Sequence, residues 1–385
     1  MKHLLFTAII LVLCFSSSAQ QWLNSPVYHG RNIYDIEILS RTNIVAAGGN
    51  ESNDSLQEIF ISNSGGMVWN FANSGGGGYI RSVDFVDSTN GLAVGYAGKI
   101  LKSGDGGASY ERIYPPGVMT QRNFNKVLYL DAQTVLAFGG RNYGNDTIQT
   151  IIKSTDSGST WSVLQDVAGQ CLKSAYFFDA LNGFAVGENG RIIKTINGGA
   201  SWSNVTSPVS SRSLNSIAFA NANTGYIVGG IRYDTPDSTR TILKTTNGGT
   251  SWSVVIDEAG PWLNDVFFLD QNNGYIVGDS ATFIKTTDGG ANWLYQIVNG
   301  TQWYSCFNSV KFLNPDYGVI GGMFGEVYLY SNEPLPEVQT LPASVTSVTD
   351  TTATANIYAS INLSLIHISE PTRLRRISYA VFCLK

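Results

Sequence analysis

The chain has 385 residues, 43% hydrophobic and 14% charged, with 41 glycines and a formal net charge of −5. An acidic chain without a basic stripe excludes nucleic acid and anionic membrane surfaces as expected partners. Four cysteines and three histidines are too few for a disulfide scaffold and leave little material for a histidine metal site or a Ser-His-Asp triad.

Met1–Ala19 carries Lys2, the apolar run Leu4–Phe15 and then Ser16-Ser17-Ser18-Ala19. This is the pattern of a secretory signal cleaved before Gln20, with an apolar run too short to anchor the chain in a bilayer. Residues 1–19 are therefore expected to be removed, leaving a protein that is secreted or held at the cell surface without membrane insertion. Residues 20–333 read as seven repeats of short strands. The first strand of each alternates apolar and polar residues, as in Ile33–Ser40, Ile80–Asp87, Phe124–Asp131 and Leu172–Asp179, then Leu214–Asn221, Leu263–Asp270 and Phe307–Asn314. The second is short and ends in glycine, as at Gly48, Gly95, Gly139, Gly187, Gly229, Gly278 and Gly321. Period-2 alternation, β-branched residues and glycine punctuation predict an all-β protein.

The third strand of most repeats runs into a fixed turn with the pattern Ser/Thr-x-Asp/Asn-x-Gly-x-x-Trp. It is written by Ser103, Asp105, Gly107 and Tyr110, then by Ser154, Asp156, Gly158 and Trp161. It recurs as Thr195, Asn197, Gly199 and Trp202, as Thr245, Asn247, Gly249 and Trp252, and as Thr286, Asp288, Gly290 and Trp293. A looser copy begins at Ser62. The hydroxyl and the Asp or Asn side chain can bond nearby N–H groups, the glycine supplies positive φ, and the indole starts the next strand. Turn starts are 41, 51, 41, 50 and 41 residues apart, the repeat length of a four-stranded propeller blade. Trp22-Leu23-Asn24-Ser25-Pro26 reads as an orphan fourth strand, like Trp202-Ser203-Asn204-Val205-Thr206. It is expected to complete blade seven beside Gly325–Tyr330 and so close a seven-bladed ring. Connections between second and third strands are long in blades one, three and five (residues 49–57, 140–150 and 230–241) and short in blades two, four and six (96–98, 188–190 and 279–281). They open on one face, with the fixed turns on the other.

Residues 334–342 read as a proline-containing linker, and 343–362 as the first strands of a module resembling fibronectin type III. Residues 363–385, with Leu363–Arg373 and Ile377–Lys385 in one frame, read as translated sequencing adapter and are expected to be non-native.

The fixed turn resembles the Asp-box, or BNR, repeat of sialidases, sortilin-type receptors, xyloglucanases and the photosystem II stability/assembly factor family. The resemblance implies a β-propeller in which the boxes lie away from any catalytic centre. Through the assembly factors it also implies a non-enzymatic role holding a partner, here a protein segment or a glycan. The chain fits the secreted multidomain proteins of Bacteroidetes-like bacteria, and a monomer is expected. The mouth of the loop-rich face is the candidate binding site. Arg31, Tyr79, Arg81, Arg122, Lys173, Arg212, Trp262, Trp303 and Tyr304 surround the starts of the first strands, and cations with aromatics suit a carboxylated or sugar-like ligand. The competing reading is that each residue caps its own strand or pairs with Asp35, Asp84 or Asp265. Two carboxylates at matching rim positions, Glu188 and Asp279, would be the acid/base pair of a glycoside hydrolase. Sialidases, however, need an Arg-Ile-Pro motif that Tyr79-Ile80-Arg81 lacks. No cofactor is expected, and no metal, since half of the boxes carry Asn or Ser where a calcium loop wants carboxylates. Cys171 and Cys306 are expected as two separate thiols.

Overall fold

The computed structural model describes residues 21–332 apart from 28–29, 50–58, 73–77, 144–145, 233–237 and 303. The expected signal, linker, fibronectin-like fragment and adapter-derived tail lie outside the described residues, as does Trp303. Seven antiparallel sheets of four strands make up the structure. The innermost strands are Asn32–Ile38, Ile80–Phe85, Asn123–Tyr129, Leu172–Phe177, Ser213–Phe219, Leu263–Phe268 and Phe307–Asn314. Each packs on the next, and the last packs on the first, which is the closure of a seven-bladed β-propeller. Among the described residues no helix is long and apolar enough to cross a membrane.

Closure uses the strand anticipated for it. Gln21–Asn24 pairs with Val327–Ser331, Trp22 opposite Tyr330. Trp22 is buried with its ring edge-on to Phe283 at 5.1 Å, so one aromatic anchors the N-terminal strand to blade seven and to blade six behind it.

Seven apolar clusters lie between neighbouring blades. Val45, Ile59, Ile80, Val83 and Leu101 join blades one and two, and Ile33, Ile36, Val319 and Leu329 join blades seven and one. A single sheet could not bury both of its faces, and the ring supplies each with a neighbour.

The box turns clamp these interfaces from one side. Thr245 Oγ1 accepts the Gly249 N–H at 3.0 Å and donates to Asn247 Oδ1 at 2.9 Å. Asn247 Oδ1 also accepts the Ser251 N–H at 3.0 Å. The same bonds recur at Ser103, Ser154, Thr195 and Thr286. Hydrogen bonds from Thr160 pull the Asp156 carboxyl down to about 2, and those from Asn292 do the same for Asp288. The box carboxylates thus spend their oxygens on their own turn. Gly249, at φ +75°, sits so close to the tip of the Phe184 ring of the preceding blade that a Cβ there would collide with it.

One connection differs from expectation. In blade three, residues 140–143 and 146–150 belong to strands. The second and third strands, Val135–Tyr143 and Asp146–Ser154, stay paired out to Tyr143 opposite Asp146. The β-branched Thr147, Ile148 and Thr150 suit that extended hairpin.

Candidate functional site at the propeller mouth

Every innermost strand carries a β-bulge at the same place. In blade one, Ile33 pairs with Gly48 and Asp35 with Ala47, leaving Tyr34 without a cross-strand partner. The equivalent residues are Arg81, Asn125, Lys173, Asn215, Asn264 and Asn308. A bulge turns the unpaired residue out of the ladder, and all seven line one depression of about 600 Å³ at the mouth of the ring. The bulge also explains the glycine that ends each second strand. A Cβ on Gly48, Gly139 or Gly229 would collide with the carbonyl oxygen of Asn32, Asn123 or Ser213, which the bulge brings close.

Four of the seven positions are structural. Asn125, Asn215, Asn264 and Asn308 donate their side-chain amides to the carbonyls of Leu172, Leu263, Phe307 and Ile33, at 2.7, 2.7, 2.8 and 2.8 Å. Each bond ties one blade to the next. The other three positions, Tyr34, Arg81 and Lys173, carry side chains of different chemistry.

They gather into two clusters. On blades one and two, the Arg81 guanidinium lies 4.5 Å from the Tyr34 ring centroid and 4.8 Å from that of Tyr79, while Tyr79 is buried and stacked on Tyr96. On blades four to six, the half-buried Trp262 has Lys173 at 5.5 Å and Arg232 at 5.3 Å from its ring. Lys173 faces Glu188 at 3.5 Å and Arg232 faces Asp279 at 3.1 Å. Burial pulls the Lys173 ammonium below its ordinary value, against the opposing pull of Glu188. Among the described residues, the depression is lined by three cations, Arg81, Lys173 and Arg232, and one carboxylate, Glu188.

The remaining expected residues have other places. Arg122 makes a two-pronged bond to Asp166 at 2.7 Å on both arms, and Arg212 does the same to Asp257 at 2.8 and 3.1 Å. Arg31 is buried over Phe71. Each arginine therefore reaches across the top of its own blade to the outermost strand, in blades one, three and five. None of the three lines the depression. Tyr304 is half-exposed in the connection entering blade seven. Cys171 and Cys306 are free thiols. Cys171 is buried in the wall of the depression, which pushes its thiol up to about 11. Glu188 lines the mouth, and Asp279 sits behind Arg232 with an amide bond from Asn264 at 3.1 Å. Each of these two carboxylates faces a cation, Lys173 and Arg232 respectively.

Below the mouth, a channel of about 300 Å³ carries charged groups, among them Asp35, Lys126, Asp265 and Lys311, in a wall that also includes apolar side chains. Asp35 accepts from Ser82 at 2.8 Å and pairs with Lys126 at 3.3 Å. Asp265 accepts from Ser216 and from the Val310 N–H at 2.7 and 3.0 Å. Asp84 accepts the Tyr129 N–H at 2.6 Å. These carboxylates satisfy N–H groups on the channel edge of neighbouring inner strands. Burial, with Glu37 adding, pushes the Asp84 carboxyl up to about 7.

Two further signals in the sequence mark this mouth: the asparagine one residue after the opening apolar residue of four inner strands, and Arg232 beside blade five's long connection.

Comparison with known proteins agrees with the fold. The family described as Photosynthesis system II assembly factor YCF48 matches residues 153–261 and 255–332. A solved structure titled YCF48 bound to D1 peptide is 18% identical, with a TM-score of 0.62, over 81% of this chain and 97% of that one. YCF48 from Cyanidioschyzon merolae is 15% identical, with a TM-score of 0.59, over 81% and 98%. The GH74 xyloglucanase from Xanthomonas campestris is 13% identical, with a TM-score of 0.59, over 80% of this chain but 53% of the enzyme. No curated protein matches the sequence. The chain is a BNR-type β-propeller resembling the photosystem II assembly factor.

Proposed function

We propose that this propeller is a secreted, non-enzymatic binding module that holds an acidic segment of a partner protein across its mouth. The observation that carries the reading is the charge of the depression. A chain of net charge −5 gathers Arg81, Lys173 and Arg232 around Tyr34 and Trp262 at one concave place. Guanidinium and ammonium groups backed by aromatic faces suit a carboxylate on a partly apolar ligand. The similar propeller solved with a D1 peptide lends support to a peptide as the ligand class. The test is selection of peptides from a random display library on the immobilised chain. Enriched sequences should be acidic, and the Arg81→Ala/Lys173→Ala variant should bind them at least about tenfold more weakly, the loss expected for two charged contacts. Enrichment of basic or neutral sequences, or equal binding by the variant, refutes the reading.

The second reading, a glycoside hydrolase on extracellular polysaccharide, rests on Glu188 in the mouth wall and on the likeness to one half of a xyloglucanase. Release of reducing sugar from xyloglucan that disappears in both Glu188→Gln and Asp279→Asn would establish it in place of the first.

A further inference from the structure

Blades two, four, six and seven join their second and third strands by the same tight turn. Its middle residue is left-handed in all four: Ala97 at φ 52°, Asn189 at 51°, Ser280 at 55° and Phe324 at 57°. Alanine, asparagine and serine are small, and asparagine is at home there. A bulky aromatic is an outlier in this region. The turn's surroundings impose the conformation. The Phe324 N–H donates to Asn32 Oδ1 at 3.2 Å, and Gly325 packs under the Val27 backbone. Burial does not repay the strain, since the Phe324 side chain is 60% exposed. Folding therefore gains nothing from phenylalanine at this position, and retained strain of this kind belongs with function.

Its place is the edge of the mouth. The preceding residue, Met323, lines the depression and its sulfur meets the Arg232 guanidinium at 3.8 Å. Asn32, which holds the Phe324 N–H, donates to the Tyr34 hydroxyl at 3.1 Å, and Tyr34 backs Arg81. Phe324 thus stands on the rim between the two cationic clusters. We infer that Phe324 and Met323 form an apolar subsite, which takes a large apolar side chain of the bound segment next to the carboxylate held by the cations. This inference rests on the peptide-binding reading above.

The test uses fluorescein-labelled peptides Gly-Gly-X-Asp-X-Gly-Gly, with X as Phe, Leu or Ala, and fluorescence polarisation on the full chain. Native protein should bind the Phe and Leu peptides at least about fivefold tighter than the Ala peptide, the gain from burying one such side chain against a rim. Phe324→Asn should erase that difference, leave the Ala peptide's affinity within about twofold, and melt at a higher temperature because asparagine tolerates the turn. Equal binding of all three peptides by the native chain, or a preference that survives Phe324→Asn, overturns the subsite alone. Failure of every peptide to bind, or binding unchanged when Asp is replaced by Asn, overturns the peptide-binding reading and the subsite with it.

Discussion

Replacing Asn308 by alanine isolates one of the bonds that closes the ring. The Asn308 amide donates to the Ile33 carbonyl at 2.8 Å, across 275 residues of sequence, from blade seven to blade one. An amide–carbonyl bond contributes about 1 kcal/mol net, and a part-buried carbonyl left without its donor costs about 1–3 kcal/mol. The bond faces a mouth that water can enter, so the loss should fall near about 1–2 kcal/mol. For a ring of this length that lowers the melting temperature by about 2–3 °C. Lys173→Ala occupies the equivalent position in blade four and should behave oppositely. Its pair with Glu188 is 3.5 Å long and both side chains are about a quarter exposed, so solvent screening reduces the pair to about 0–1 kcal/mol. Urea unfolding followed by tryptophan fluorescence, with thermal melts beside it, measures both. Asn125→Ala combined with Asn308→Ala should be additive within about 0.5 kcal/mol, because the two bonds share no partner. An Asn308→Ala variant as stable as the parent, or a Lys173→Ala variant that loses more than it, would refute the division of the mouth into stitching and binding positions.

Three further outcomes are expected. Gly249→Ala places a Cβ at φ +75° against the Phe184 ring and should cost about 2–4 kcal/mol by urea unfolding, while Gly104→Ala, with open space around it, should stay within about 0.5 kcal/mol. Burial, with Glu37 adding, raises the Asp84 carboxyl from its ordinary 3.8 to about 7; between those values the folded state holds a proton that the unfolded state has lost, so stability should fall as pH rises from about 4 to about 7 and level off above, and melts of Asp84→Asn from pH 5 to pH 8 should lack that fall. Arg81→Asn/Lys173→Asn, which offers two more amides to neighbouring blades, should unfold within about 1 kcal/mol of the parent yet bind acidic peptides no better than Arg81→Ala/Lys173→Ala.

The fold was legible because its determinants are local and repeated. Thr245, Asn247, Gly249 and Trp252 write one turn within eight residues, and the side-chain hydrogen bonds of Thr245 and Asn247 stay inside it. Trp22 was readable as the closing strand because the repeat count left it over and left blade seven short of a strand. The mouth was harder. Arg31, Arg122 and Arg212 precede each strand's opening apolar residue by two positions, whereas Arg81 and Lys173 follow it by one. In sequence both sets read as cations near a strand start. In three dimensions the bulge sends the second set into the depression and leaves the first free to clasp Phe71, Asp166 and Asp257. The terminal glycine of each second strand marks that bulge, yet its cause is a carbonyl brought close from the neighbouring strand. Phe324 carries no periodic signal at all, since only its backbone conformation sets it apart.

The arrangement explains how such a ring can vary its mouth without losing its shape. The seven apolar clusters lie between blades, and the box turns tie the opposite face. Neither depends on what stands at the bulged positions. The innermost strands still present N–H groups toward the channel, and Asp35, Asp84, Asp265 and their partners satisfy them one level below the mouth. The bulged residue is therefore the first position along each inner strand that is relieved of both core packing and ladder pairing. Where nothing else is required of it, asparagine gains a bond to the next blade. Where the chain departs from asparagine, it sets Arg81 against the Tyr34 ring in one cluster and Lys173 against the Trp262 ring, with Arg232, in the other. Replacing an asparagine stitch is tolerable because each is worth about 1 kcal/mol against interfaces that bury several large side chains apiece. The departures are thus where recognition can be written into this fold at least cost to the ring.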